Sequence, residues 1–244
     1  MKTTCELYAF GAMMLVILLC LVWYMAGHPA PHGLQNSPFT ATTTSKTLVD
    51  HGDYYTIDAT YPAGQASVAQ FVADTAASFK QENGLNNLTP EDIKIQGLGG
   101  DKKYTLSITY DTYASPHTYT YLLTIYEDTL GAHPNGYYQS FTFDDKTGAE
   151  LQLADLFTAN SGYLDVLSKS TRASLYASLG DSALPDFVDP GTTPDAANFQ
   201  FFALDGSDLV IFFPPYAVGP YAIGPQTVRL PRSQFSSILK PEYK

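Results

Sequence analysis

Hydrophobic and polar positions change their period several times along the chain, and each change marks an expected element. The run "DYYTIDATYP" alternates as a strand does and stops at Pro62. The next stretch, "SVAQFVADTAASFKQEN", sets Val68, Phe71, Val72, Thr75 and Phe79 on one helical face, with Ser67 as the expected cap and Gly84 as the stop. After a turn-rich interval come "KYTLSITYDTYAS" and "HTYTYLLTIYEDTL", two long alternating runs separated by Pro116, which read as an antiparallel hairpin. Their outward positions carry Tyr and Thr, residues that suit a pleated surface. The 18 tyrosines of the chain therefore call first for a sheet to hold them.

The pattern then resumes with a strand, "YYQSFTFDD", a "KTG" turn and "AELQLADLF". Apolar residues return at helical spacing through Leu164, Leu167, Leu175 and Leu179. A Pro- and Asp-rich loop, Ala183 to Ala197, leads to "NFQFFALDGSDLVIFF", a hairpin turning at "LDGSD", and later to a last strand, "QTVRLP", and a short helix, "SQFSSILK". Strand, helix, strands, helix, strands is an α+β pattern: largely antiparallel sheets with helices packed on one face. Two structural halves are expected, residues 46–129 and 130–244, joined near Thr129.

Ahead of these elements, Leu7 to Gly27 read "LYAFGAMMLVILLCLVWYMAG", roughly twenty residues without a charge, which matches the thickness of a bilayer core. A cleaved signal peptide wants a small residue where "WYMAG" has Met25, so the segment reads as one transmembrane anchor. Residues 1–6 are then a short cytoplasmic end, with Lys2 as the inside charge, and residues 28–45, rich in Pro, Ser and Thr, a flexible tether. This reading places the bulk of the chain outside an inner or plasma membrane, in the periplasm or at the cell surface. Both cysteines, Cys5 and Cys20, fall in or beside the anchor, leaving the outer part without a thiol. Charged residues make up 15% of the chain and the net charge is -11, which argues against nucleic acid and would attract a basic protein.

Catalytic patterns are scarce. "KTG" at Lys146–Gly148 and "SILK" at Ser237–Lys240 mimic two elements of serine β-lactamases, but in reversed order and without the third. The nucleophile elbow, the phosphate loop and the His-Glu-x-x-His signature are all missing. Asp144 with Asp145, and Glu91 with Asp92, read as solvated turn carboxylates, since adjacent strand residues point to opposite faces. His28 and His32 have a helical metal spacing that Pro29 and Pro31 forbid. The expectation is no enzyme, no cofactor and no metal. His133, in "GAHPNG", lies in a tight loop bracketed by Gly131 and Gly136, where it would bond a neighbouring backbone group, titrate near neutral pH or, given partners the sequence does not show, ligate a metal.

One stretch stands apart: "FFPPYAVGPYAIGP", Phe212 to Pro225, repeats Tyr-Ala-aliphatic-Gly-Pro without a charge. Prolines 214, 215, 220 and 225 exclude an interior helix or a central strand, so it is a shaped loop or an edge. Its tyrosines either plug a gap between sheet and helix or form a surface for binding.

Together with "GAHPNGYYQSFTFDDKTGAELQLADLF" and the leucine-rich helix, this stretch resembles the extracytoplasmic RsiV-like domain family. The preceding part, from "YYTIDATYP" to about Leu130, is similar to the small module that accompanies that domain there and in peptidoglycan deacetylases of the PdaC type. The resemblance implies a domain that binds lysozyme, with the recognition surface at Pro215, Tyr216, Pro220 and Tyr221 and the loop at His133 and Asn135. It implies a c-type lysozyme or other basic envelope protein as partner, and wall glycan as the alternative ligand of an accessory module. The chain departs from the anti-sigma members of that family, because about six residues ahead of the apolar run are too few to wrap a sigma factor. A hydrolase with an unrecognised site is the third alternative.

Overall fold

The computed structural model describes residues 44–244. The expected anchor at 7–27, most of the tether and the histidines at 28 and 32 lie outside them. No helix among the described residues is long and apolar enough to cross a membrane.

Four layers are stacked. A six-stranded sheet has the order β1 (Ser45–His51), β2 (Tyr55–Pro62), β3 (Tyr104–Ser115), β4 (Thr118–Asp128), β5 (Asn135–Asp144), β6 (Glu150–Leu151). All its neighbours are antiparallel except β2 and β3, which run parallel because helix α1 (Ala66–Glu82) crosses between them. That crossover lays Val68, Val72 and Phe79 of α1 over Ile57, Leu106, Leu123 and Ile125, the first core. A three-stranded antiparallel sheet, β7 (Phe202–Asp205), β8 (Asp208–Phe213) and β9 (Gln226–Pro231), packs on the other side of the large sheet. There Ala203, Val210 and Phe212 meet Leu122, Tyr113 and Tyr138. Alternate residues of the same strands, Leu204, Leu209, Ile211 and Phe213, face away into a second core with Leu167 and Leu175 of α3 (Tyr163–Leu179). Burial on both faces explains why "DLVIFF" loses the alternation of an exposed strand.

Several elements differ from the pattern reading. β1 was hidden in a Ser/Thr-rich stretch, and its strand character comes from pairing with β2 along its whole length. The turn-rich interval contains α2 (Pro90–Gln96), opened by a capping box in which Thr89 and Asp92 satisfy each other's backbone amides. The loop after Ala183 contains α4 (Pro185–Gly191). Ser67 is inside α1, whose first flanking residue is Gln65, whereas Gly84 does follow the helix end with φ +62°. The carboxy-terminal stretch forms a 3-10 turn, Arg232–Phe235, and then a bridge from Leu239 to Phe157 rather than an α-helix. Thr129 falls between β4 and β5, paired strands of one sheet, so that sheet draws on residues from both sides of the expected join.

Asp144 and Asp145 also differ from the expected solvated pair. The Asp145 side chain is buried, with the His117 imidazole 3.8 Å away and its own amide bonded to the His117 carbonyl, because the turn folds back on the β3–β4 hairpin. Asp144 closes the turn from within: burial opposes its charge, but the Thr147 and Lys146 amides and the Thr147 hydroxyl bond it and hold it below the usual carboxylate range.

Candidate functional site

The doubled pentapeptide connects β8 to β9. Pro214 to Ala217 form a tight turn, in which the Ala217 amide donates to the Pro214 carbonyl at 3.1 Å. Pro215 takes the position where its fixed φ is preferred, and Tyr216 takes the next one with φ +70°. That position belongs to glycine or asparagine in type II turns, and a bulky residue there is strained by about 1–2 kcal/mol. Contacts on its carboxyl side hold the turn. Val218 enters the second core, and Gly191 of α4 lies so close to Ala217 that an added Cβ would stand 2.0 Å from its carbonyl oxygen. Pro220 then opens a 3-10 turn, Tyr221–Ile223, whose Ile223 side chain fills the space where Gly219 lacks one. Val218 of the first repeat is buried and Ile223 of the second lies half-buried over Gly219, while both tyrosines point out, with Tyr216 52% and Tyr221 36% exposed.

The second loop joins β4 to β5. Asp128 accepts the Leu130 amide at 2.8 Å, and Leu130 has φ +60°, which turns the chain sharply toward His133. The His133 ring stacks on Tyr221 with centroids 4.0 Å apart and planes at 20°, and Tyr216 lies 5.7 Å from Tyr221. Its Nδ1 is 2.9 Å from the Pro134 carbonyl oxygen, so in the neutral ring Nδ1 carries the hydrogen and Nε2 accepts from the Tyr216 hydroxyl at 3.0 Å. The Tyr221 hydroxyl donates to the same Pro134 carbonyl at 3.3 Å. Two segments more than eighty residues apart thus form an exposed cluster of three aromatic rings.

Of the residues singled out in the sequence, Tyr216, Tyr221 and His133 meet directly. Pro215 and Pro220 shape the turns beneath the tyrosines. Asn135 opens β5 opposite Glu127, exposed at the rim. Gly191 was missed; its only signal was the "DPG" in a loop assigned no structure.

Chemically the cluster offers three exposed aromatic rings, two stacked and the third tilted by 37°, and a hydroxyl–imidazole–carbonyl chain of hydrogen bonds. Among the described residues, no group of three or more His, Cys, Asp or Glu side chains could hold a metal ion. Two open clefts, of about 530 Å³ beside Lys80 and Asn87 and about 390 Å³ beside Phe157 and Tyr163, are lined by other residues.

Residues 154–233 match the family described as a protein of unknown function, DUF3298. That segment contains Tyr216 and Tyr221 but not His133. The immunogenic protein MPT64 of Mycobacterium tuberculosis is 27% identical over 183 residues, covering 73% of this chain and 74% of that protein. The peptidoglycan-N-acetylmuramic acid deacetylase PdaC of Bacillus subtilis is 24% identical over 81% of this chain, which spans only 42% of that protein. An esterase of Mycobacterium tuberculosis is 22% identical over 93% of this chain and 96% of its own length. The crystal structure of a DUF3298 family member from Bacteroides fragilis superposes with a TM-score of 0.58 over 82% of this chain and 93% of that one, at 18% identity, and so shares the fold.

Proposed function

We propose that this chain is a membrane-anchored, extracytoplasmic binding protein that presents His133, Tyr216 and Tyr221 to a basic, lysozyme-like muramidase. The observation that carries the reading is the outward cluster itself. The backbone holds Tyr216 in a strained conformation whose effect is to keep an aromatic ring in water, against the hydrophobic gain of turning it in. Rigid tyrosines lose little entropy on binding and dominate interface hot spots. The net charge of -11 favours a basic partner. The likeness to PdaC, a protein named for peptidoglycan chemistry, supports a setting in the cell envelope. The same likeness makes wall glycan the alternative ligand.

The test is calorimetry of the full chain, in mild detergent, with a c-type lysozyme at low and moderate salt. The expected result is salt-sensitive binding that Tyr216→Ala with Tyr221→Ala weakens at least about thirtyfold, the effect of losing one hot spot. Circular dichroism checks that the variant is folded. Absence of binding by the unaltered chain overturns the proposal and makes glycan fragments the next ligands.

A second reading rests on the hydrogen bond from the Tyr216 hydroxyl to His133 Nε2 and on the esterase relative. A hydroxyl facing an imidazole whose other nitrogen is fixed is the arrangement of an activated nucleophile. Hydrolysis of p-nitrophenyl acetate by the unaltered chain, abolished in Tyr216→Phe, would establish it. Equal rates in the two proteins dismiss it.

A further inference from the structure

Among the described residues, β1 ends the six-stranded sheet with only β2 beside it. The Ala63 amide donates to the Thr44 carbonyl at 2.8 Å and the Gly52 amide to the Tyr55 carbonyl at 3.0 Å. Both pairs fit the register in which Leu48 faces Ala59. Because antiparallel neighbours exchange bonds at every second residue, Lys46, Leu48 and Asp50 spend their backbone groups on β2. Those of Ser45, Thr47, Val49 and His51 point away from the sheet. The Val49 side chain is 63% exposed as well. An edge of this length with open backbone groups is a template for another strand.

The order of residues selects that strand. In an antiparallel pair of two β1 strands centred on Leu48, each Lys46 stands opposite the other copy's Asp50. Thr47 then faces Val49, Ser45 faces His51, and the outward backbone groups of Thr47 and Val49 meet in bonding phase. Centring on Thr47 sets Lys46 against Leu48, and centring on Val49 sets Leu48 against Asp50, so only the Leu48 register matches opposite charges. Asp50 is available to it. Its carboxylate accepts from Lys80 at 2.8 Å and Tyr55 at 2.9 Å, yet its side chain stays 41% exposed and has acceptor capacity to spare. The -11 charge of each copy opposes association, but at physiological salt that repulsion is screened beyond about 8 Å, whereas the Lys46–Asp50 contacts are direct.

We propose that β1 is a dimerisation edge, at which two copies of this chain pair antiparallel about Leu48 and join their large sheets into one. The surface is separate from the aromatic cluster, and its test does not depend on any ligand.

Sedimentation velocity of the full chain in detergent, across a concentration series, should show a reversible dimer. Val49→Pro removes an outward amide and leaves the bonds to β2 in place; with two such bonds lost per dimer, association should weaken about tenfold. Lys46→Glu puts like charges opposite each other and should weaken association further, by a larger factor at low salt than at high salt relative to the unaltered chain. Hydrogen exchange supplies a readout without mutation: the Thr47 and Val49 amides should be protected in concentrated solution and exposed on dilution. A monomer across the whole series overturns the proposal, as does a dimer that a folded Val49→Pro leaves intact. Protection at Thr47 and Val49 that dilution does not change assigns the edge to another segment or partner and equally overturns it. Should Val49→Pro fail to fold, the exchange experiment decides alone.

Discussion

The tyrosines of β4 and those of the β8–β9 connection have the same side chain and similar aromatic neighbours, and the structure uses them in opposite ways. Tyr119 stacks on Phe143 at 5.3 Å and Tyr121 packs edge-on against Tyr119 at 5.6 Å, with both rings almost sealed from water. Tyr216 and Tyr221 are also in ring contact, with each other and with His133, yet they stand in solvent. The difference lies in the backbone. A strand carries a large ring into a core without conformational cost, whereas the turn at Pro215–Tyr216 accepts a disfavoured φ and leaves the ring outside. Burial energy accounts for the first set; the second is placed instead by the Pro215–Tyr216 turn and by its contacts with the His133 loop.

Truncation separates the two sets by the widest margin. Tyr121→Ala empties a core site and should cost about 3–5 kcal/mol in urea unfolding, while Tyr221→Ala should cost about 1 kcal/mol or less. Equal losses would mean that the loop tyrosines are scaffold after all. Alkali gives a second, somewhat smaller contrast. Burial pushes the Tyr121 and Tyr113 hydroxyls up to about 12, against about 10 in an unfolded chain. For a raised folded value the stabilisation is fully present below pH 10 and lost as pH rises toward 12, because only the unfolded chain releases those protons. Urea midpoints measured from pH 8 to 12 should fall over that window, and less steeply in Tyr121→Phe, which has no proton to lose there.

The same contrast decides how much of the molecule could be read along the chain. Period-two runs predicted β2, the β3–β4 hairpin and β5, and helical spacing predicted α1 and α3, because burial on a face imprints the sequence, while β7 and β8 were marked by the hairpin turn between them. β1 and the parallel pairing of β2 with β3 left no such imprint: one depends on a neighbour for its strand form, and the other on a crossover of α1 whose direction is a tertiary property. The capping box at Thr89–Asp92 was legible and passed over. In the candidate site, the proline-stiffened loop and the His133 loop were each visible in the sequence. Their meeting was not, since nothing local to "GAHPNG" refers to a turn more than eighty residues away.

Gly191 tests whether the outward tyrosines depend on the inward half of their own repeat. A methyl group there collides with the Ala217 carbonyl, a backbone atom that cannot swing aside. Gly191→Ala should cost about 1–3 kcal/mol by overpacking and displace the turn, read as a lowered melting temperature together with altered ring signals of His133 in NMR. A melting loss with unchanged His133 signals would show that the cluster is positioned from the β4–β5 side alone.

The smallest effect isolates the backbone strain. Tyr216→Ala and Tyr216→Gly both remove the ring, the His133 hydrogen bond and the contact with Tyr221, so they differ only in what the main chain wants at φ +70°. Elsewhere Gly is the less stable of the two because it gives up more freedom on folding. Here Ala retains the left-handed penalty and Gly escapes it, so Tyr216→Gly should be the more stable variant by about 1 kcal/mol in thermal unfolding. The opposite order would mean that the turn relaxes once the ring is gone. The strain would then come from the His133–Tyr216 bond pulling the ring outward rather than from a turn that imposes the conformation, and the two loops would have to be regarded as one preassembled surface.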